Sequence, residues 1–196
     1  MKKDIAIKKA REYLGQADDI SHGGAHVESM LKFARQIASH NPETNIDLLE
    51  IACWWHDVGR LYPGDNHESI SAKMARDELK KIGFSADFAE QAYLAIVNHD
   101  MSDEPTTLEG KILKDADKLD YLPIWRWEDC IQRKAMMGIN ATLRNIPNLR
   151  NHKLHFEISK EMFDKLFANW REFIKNDNSE FLSKYKEDLL NIKVND

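Results

Sequence analysis

The stretch CWWHDVGRLY, residues 53–62, places His56 and Asp57 side by side at the end of an apolar segment. Imidazole and carboxylate groups are common ligands of transition metal ions, and helical proteins gather them from different helices. The chain supplies more groups of both kinds, namely His22, His26, His67 and His99 and, within the segment KDADKLD, Asp115, Asp117 and Asp120. A carboxylate that is buried without compensation is costly, so this grouping indicates a metal site.

Apolar residues recur at helical spacing along nearly the whole chain, which predicts an all-α fold. A helix is expected to start after Gly24 and to carry His26 early in its length. Asn45 is expected to cap the next helix, which leads to His56-Asp57 and ends at Gly59. The dipeptide is therefore predicted at the C-terminal end of a helix.

Turn and capping signals predict further helices over residues 3–16, 67–82, 85–98 and 124–137. Thr106 and Glu109 form a capping-box pattern before a short helix that runs toward Lys114. Residues 138–154 contain Pro147 and several Asn and Arg residues, and they predict a long basic loop. Two amphipathic helices are expected within residues 155–196. We therefore expect one domain over residues 1–196.

The composition is that of a soluble globular protein, with 42% hydrophobic and 31% charged residues among 196. The net charge of −5 disfavours binding to a nucleic-acid backbone, so the expected partner is a small molecule. No apolar run approaches the length of a membrane span, and MKKDIAIKK lacks the apolar stretch of a signal peptide. These features predict a cytoplasmic protein with no membrane association. Cys53 and Cys130 are expected to be buried thiols.

The order His26, His56-Asp57, Asp117, with HDVGR and KDADKLDYL around its last members, resembles the HD-domain superfamily of metal-dependent phosphohydrolases. The segments HESISAKMARDEL and AIVNHD resemble the intervening helices of its small bacterial members. The resemblance covers about residues 20–133 and implies a helical bundle of HD-domain type.

The resemblance implies that His26, His56, Asp57 and Asp117 bind one divalent metal ion. His67 and His99 match positions that complete a second metal site in other branches. Two imidazoles with two carboxylates favour Mn²⁺, Fe²⁺, Co²⁺, Ni²⁺ or Zn²⁺ over Mg²⁺ or Ca²⁺. A bound ion would lower the pKa of its water, and the resulting hydroxide would attack phosphorus.

Nucleotidase branches of the superfamily place a catalytic glutamate shortly after the dipeptide, whereas this chain has Val58, Gly59 and Arg60 there. This departure weakens an assignment as a 5′-nucleotidase. Arg60 could bind a phosphate oxygen or remain a solvent-facing helix-end residue. The other candidates for substrate binding are Lys111, Lys114, Lys118 and His22, and those for proton transfer or for orienting a ligand are Glu68 and Asp100.

The sequence thus predicts a phosphohydrolase acting on a small phosphorylated metabolite, in the first instance a nucleotide, with nucleoside triphosphate pyrophosphohydrolysis as one option. A di-iron oxygenase of the same scaffold is an alternative because His67 and His99 are present. A non-catalytic nucleotide-binding or regulatory HD protein is another. The amphipathic C-terminal helices could serve a homodimer or pack in the core.

Overall fold

The computed structural model describes residues 1–16, 23–64 and 66–195. Within these residues every regular element is a helix and no strand occurs, which confirms the all-α prediction. The chain divides into two compact units, Met1–Asp117 and Lys118–Asp196. This division does not decide whether residues 1–196 form one domain, which stays a prediction.

The first unit is built from six helices and one short 3-10 helix in its described residues. These are α1 (Lys2–Leu14), α2 (Gly24–Ala38), α3 (Ile46–Trp55), the 3-10 helix (Val58–Leu61), α4 (His67–Ile82), α5 (Ala86–Val97) and α6 (Leu108–Leu119), whose last two residues belong to the second unit. Helix α3 packs against α1, α2 and α5, while α4 packs against α5 and the 3-10 helix. Helix α3 is therefore the central element of this unit.

Helix α3 lies in the interior because apolar residues occupy most of its positions. Every residue from Leu48 to Trp55 is buried, and a helix of this kind is stable only when other elements cover it. The Trp55 indole N–H donates a 3.1 Å hydrogen bond to the Ala6 carbonyl of α1. The C-terminal end of α3, where His56 follows, is consequently held inside the unit.

The predicted helix ends of this unit are largely confirmed. Asn45 Oδ1 accepts a hydrogen bond from the Leu48 N–H at 3.1 Å, and Ser85 Oγ accepts one from the Phe88 N–H at 3.1 Å. Gly83 ends α4 with a positive φ of 95°, a conformation that glycine adopts without steric cost.

The predicted capping box at Thr106 is wrong, because the next residue takes that role. Thr107 Oγ1 accepts from the Gly110 N–H at 3.0 Å, whereas Glu109 Oε1 accepts from the Asn45 N–H at 2.8 Å. Glu109 thus joins α6 to the start of α3 instead of capping its own helix. Helix α6 also extends beyond Lys114 to Leu119 and so includes Asp117.

The second unit contains α7 (Ile124–Arg133), α8 (Met136–His152), α9 (Glu157–Asn176), α10 (Glu180–Ser183) and α11 (Lys186–Leu190). The Trp127 ring of α7 lies 5.3 Å from the Trp170 ring of α9, centroid to centroid. The amphipathic helix predicted here is confirmed as α9, but the last predicted helix is divided into the short α10 and α11.

The basic loop predicted over residues 138–154 is wrong, because α8 occupies most of that segment. Its Ile139, Ile146 and Leu149 are fully buried and recur at helical spacing, so they form one apolar face. Pro147 lies inside the helix and removes one backbone donor without ending it. Burial of the apolar face outweighs this loss.

None of the helices in the described ranges is sufficiently long and apolar to cross a bilayer. Cys53 and Cys130 are both buried free thiols, as predicted.

Candidate metal centre

Four side chains from the described residues of the first unit bring ligand atoms to one point. His26 belongs to the first turn of α2, His56 caps the C-terminus of α3, Asp57 follows it, and Asp117 lies on α6. His26 Nε2 lies 3.3 Å from His56 Nε2 and 3.2 Å from Asp117 Oδ1. Asp57 Oδ2 lies 3.3 Å from His56 Nε2 and 4.0 Å from His26 Nε2. The set that the sequence predicted is therefore gathered by three helices.

These separations fit a divalent transition ion. Two ligands about 2.1 Å from an ion are about 3.0 Å apart at a right angle and about 3.4 Å apart at the tetrahedral angle. The five pairs among these atoms that include an imidazole nitrogen range from 3.2 to 4.0 Å, and His56 Nε2 lies 3.8 Å from Asp117 Oδ1. Both imidazoles thus lie within 4.0 Å of both carboxylates, as ligands of one ion would.

Backbone carbonyls fix the orientation of two imidazoles. The Nδ1–H of His56 donates to the Cys53 carbonyl at 2.8 Å, and that of His99 donates to the Ile96 carbonyl at 2.7 Å. Because the proton of a neutral imidazole is then on Nδ1, Nε2 presents its lone pair to the site. Each carbonyl lies three residues earlier, at the end of the preceding helix. These two hydrogen bonds therefore leave Nε2 of His56 and of His99 available to bind a metal ion.

A second cluster uses the other oxygen of Asp57. Asp57 Oδ1 lies 3.3 Å from His67 Nε2 and 3.7 Å from His99 Nε2. The His67 Nε2 atom is buried and has no hydrogen-bond partner among the described residues. Its Nδ1 lies 3.0 Å from Glu68 Oε2, which orients the ring. Asp57, His67 and His99 could thus hold a second ion.

Arg60 occupies the same side of Asp57 as this second cluster. Its Nε donates a 2.8 Å hydrogen bond to Asp57 Oδ1, and its side chain is 34% exposed. The Arg60 N–H also donates to the Asp57 carbonyl at 3.0 Å, within the turn that opens the 3-10 helix. The local backbone therefore places the Arg60 guanidinium beside the Asp57 carboxylate.

The charge state of Asp57 follows from its surroundings. Burial alone would raise the pKa of this carboxyl, but its electrostatic interactions with the imidazoles of His56, His67 and His99 outweigh burial and hold the pKa well below its usual range. Asp57 is consequently an anion, the form that binds a metal.

Gly59 positions the two clusters by allowing a close approach of the 3-10 helix to α4. A Cβ added at Gly59 would lie 2.2 Å from the His67 carbonyl oxygen and 2.8 Å from Ser71 Oγ. The Gly59 N–H donates to that Ser71 hydroxyl at 2.7 Å. The role predicted for Gly59 as the end of α3 is wrong, because the residue lies inside the 3-10 helix that follows. Its small size lets Asp57 approach His67.

The comparisons with known proteins agree with this geometry. The family model described as HD domain matches residues 23–122, more than half of the chain. The chain belongs to the HD-domain family. Among curated proteins no match was found.

The fold of the HD domain is also found in a solved structure. A crystal structure of a "predicted HD superfamily hydrolase" from an uncultured Thermotogales bacterium superimposes with a TM-score of 0.70 and 24% sequence identity. The match covers 93% of this chain and 92% of that chain. Membership of the HD-domain family and the clusters of His and Asp identify the protein as a metal-dependent phosphohydrolase.

The structure places the predicted substrate-binding residues of the HD domain in different environments. Lys111 is half-buried, whereas Lys114 is fully buried and its ammonium donates to the Asp103 carbonyl. Lys118 is 5% exposed. Asp100 is half-buried and accepts from the Ser102 hydroxyl at 3.3 Å. Arg60 contacts a predicted metal ligand directly, through its hydrogen bond to Asp57. His22 lies outside the described residues.

Sequence reasoning missed two residues that support the site. Ser71 receives the Gly59 N–H, and Cys53 offers its carbonyl to His56. Ser71 gave a usable signal, since it lies four residues after His67 and so shares a face of α4 with it. The role of the Cys53 carbonyl leaves no trace in residue type.

Proposed function

We propose that this HD protein hydrolyses a phosphate ester or phosphoanhydride bond of a small phosphorylated metabolite, with one divalent ion held by His26, His56, Asp57 and Asp117. The observation that carries the proposal is that His26 Nε2 and His56 Nε2 lie 3.3 Å apart, and each lies within 4.0 Å of a carboxylate oxygen of Asp57 and of Asp117. When bound, such an ion supplies a water of lowered pKa and withdraws charge from a phosphoryl oxygen.

The approach of the substrate is expected from the side of Asp117 and Arg60. The side chains of His26, His56 and Asp57 are at most 2% exposed, whereas that of Asp117 is 15% exposed and that of Arg60 is 34% exposed. A guanidinium at this opening can bind two phosphate oxygens at once. Arg60 is therefore the proposed phosphate-binding residue, and Lys111 is a second, half-buried candidate.

The carboxylates beside the second cluster are proposed to orient ligands or to move a proton. Glu68 Oε2 lies 3.0 Å from His67 Nδ1, so its first proposed role is to hold that ring. Asp100 follows His99 directly and could take a proton from water in the site.

Nucleotides are the first substrates to test, and nucleoside triphosphates are preferred to 5′-monophosphates. The preference is supported by the residues that follow the dipeptide. Val58 and Gly59 are buried and apolar where nucleotidase branches carry a catalytic glutamate, and Arg60 adds a positive charge suited to a polyphosphate. Release of pyrophosphate or of phosphate identifies the bond that is cleaved.

The test begins with metal removal by a chelator and reloading with Mn²⁺, Fe²⁺, Co²⁺, Ni²⁺, Zn²⁺ or Mg²⁺. Phosphate and pyrophosphate release are then measured on a panel of nucleoside mono-, di- and triphosphates. We expect turnover with at least one transition ion and its loss in Asp117→Ala. The exposed Asp188→Ala is the matched control and keeps wild-type turnover. Absence of both phosphate and pyrophosphate release with every ion would refute the proposal.

The second cluster favours one further candidate, a di-iron oxygenase. Asp57 lies between the two histidine pairs, an arrangement in which one carboxylate can bridge two ions. Two tightly bound irons with oxygen-dependent turnover, and release of neither phosphate nor pyrophosphate, would support this candidate. Nucleotide binding without turnover under any metal would instead support a regulatory protein.

A further inference from the structure

The two oxygens of Asp57 serve different neighbours. Oδ2 faces His56 and His26, which belong to the first cluster. Oδ1 faces His67 and His99 and also receives the Arg60 Nε–H at 2.8 Å. A second ion bound through Oδ1 would therefore approach an oxygen that already carries a charge-assisted hydrogen bond. Such bonds are the strong ones among protein hydrogen bonds.

We propose that Arg60 competes with a second divalent ion for Asp57 Oδ1, so that the guanidinium keeps the second cluster weak for metal. The inference rests on the proposed function, because it takes the first ion as bound. It concerns the regulation of the same site, namely the number of ions that it holds.

Local structure makes Arg60 an effective competitor. The residue lies three positions after Asp57, and the hydrogen bond from its N–H to the Asp57 carbonyl closes the turn between them. Gly59 is anchored to Ser71 in the middle of this turn. The guanidinium is thus placed beside Oδ1 without any movement of the helices, whereas a second ion must first displace it.

The charges favour competition over joint occupancy. A guanidinium and a divalent ion on one carboxylate oxygen repel each other, and the buried setting of Asp57 strengthens that repulsion. The Arg60 side chain is 34% exposed, so it can move toward solvent when an ion takes its place. The exchange therefore needs no unfolding of the core.

The test compares wild type with Arg60→Met and Arg60→Lys. Metal-stripped proteins are titrated with Mn²⁺, the ions per chain are determined by elemental analysis after equilibrium dialysis, and spin coupling between two Mn²⁺ ions is followed by electron paramagnetic resonance. Arg76→Met is the control. The Arg76 side chain is also partly exposed, at 27%, but it pairs with Glu90. Its substitution by Met removes the same positive charge as Arg60→Met does.

Wild type and Arg76→Met are expected to bind one ion well before the second. In Arg60→Met the Kd for the second ion is expected to fall by about tenfold or more, with a coupled spectrum at lower Mn²⁺ concentration. Arg60→Lys keeps the positive charge and is expected to stay nearer to wild type. Circular dichroism checks that each variant is folded, and Arg60→Gln replaces any variant that is not.

The outcomes separate this inference from the proposed function. If wild type binds one ion and the second-ion Kd of Arg60→Met is the same, the inference alone is overturned. An equal gain in Arg76→Met overturns it as well, because the effect would then be one of net charge. If wild type binds no ion, the proposed function is overturned and this inference with it.

Discussion

The close approach at Gly59 gives a sharp test of how the fold positions the centre. In Gly59→Ala the new methyl group would lie 2.2 Å from the His67 carbonyl oxygen, which belongs to the backbone and cannot rotate away. An ordinary contact between such atoms is about 3.5 Å, so the 3-10 helix and α4 must separate by about 1.3 Å. The same shift would pull Asp57 away from His67 and from the Ser71 hydroxyl that holds the turn.

Two effects of Gly59→Ala are expected from this displacement. Overpacking in a buried site costs about 1–3 kcal/mol, which for a chain of this length lowers Tm by about 2–12 °C. A displacement of about 1 Å in a catalytic constellation can lower the rate by about 100-fold. We therefore expect weaker Mn²⁺ binding by calorimetry and a large loss of turnover, both beyond what the loss of stability explains at 25 °C.

Gly24→Ala is the matched control. Gly24 begins α2 two residues before His26, and a Cβ at this position meets no atom within 4 Å. The substitution is expected to leave Mn²⁺ affinity unchanged and to keep or slightly raise Tm, since alanine favours the helix. If Gly59→Ala showed the Tm and the Mn²⁺ affinity of Gly24→Ala, the role given to the 3-10 helix would be wrong.

Three further outcomes follow from the structure. Burial raises the pKa of the Glu50 carboxyl, but hydrogen bonds from Lys3 and Arg35 outweigh burial, so the pKa lies below its usual value. Glu50→Gln should therefore lower the free energy of unfolding by about 1 kcal/mol at neutral pH. This difference from wild type should shrink as the pH falls through the folded-state pKa, while the exposed Glu43→Gln should show no such loss in urea unfolding. Burial raises the pKa of the Cys53 thiol far above its usual range and also raises the pKa of the Cys130 thiol. A thiol reagent should therefore label neither cysteine in the folded protein and both cysteines in denaturant. Mn²⁺ at about 100 times its Kd should stabilise the protein by about 2.7 kcal/mol, or about 5–10 °C in Tm, and Asp117→Ala should abolish that shift.

The sequence predicted those parts of the fold that depend on local chemistry. Asn45 and Ser85 cap helices because their side-chain oxygens satisfy nearby backbone donors, and Gly83 ends a helix because it accepts a positive φ. These are interactions within a few residues, and residue type is sufficient to reveal them. The order of His26, His56-Asp57 and Asp117 predicted the set that the helices gather, but only through its resemblance to a family.

Features that depend on tertiary packing were predicted less well. Pro147 and the polar residues around it suggested a loop, yet burial of Ile139, Ile146 and Leu149 stabilises α8 through that segment. The helical spacing of these three residues was the signal that could have opposed the proline. Likewise, Gly59 was interpreted as a helix end because its contact with the His67 carbonyl cannot be read from the sequence.

The central claim is that His26, His56, Asp57 and Asp117 together bind a divalent ion. The most direct measurement is anomalous diffraction at the manganese edge from crystals of the protein grown with Mn²⁺. The structure predicts a peak at about 2.0–2.3 Å from His26 Nε2, His56 Nε2, Asp57 Oδ2 and Asp117 Oδ1. A peak at other residues, or none at all with the ion present in excess, would contradict the account.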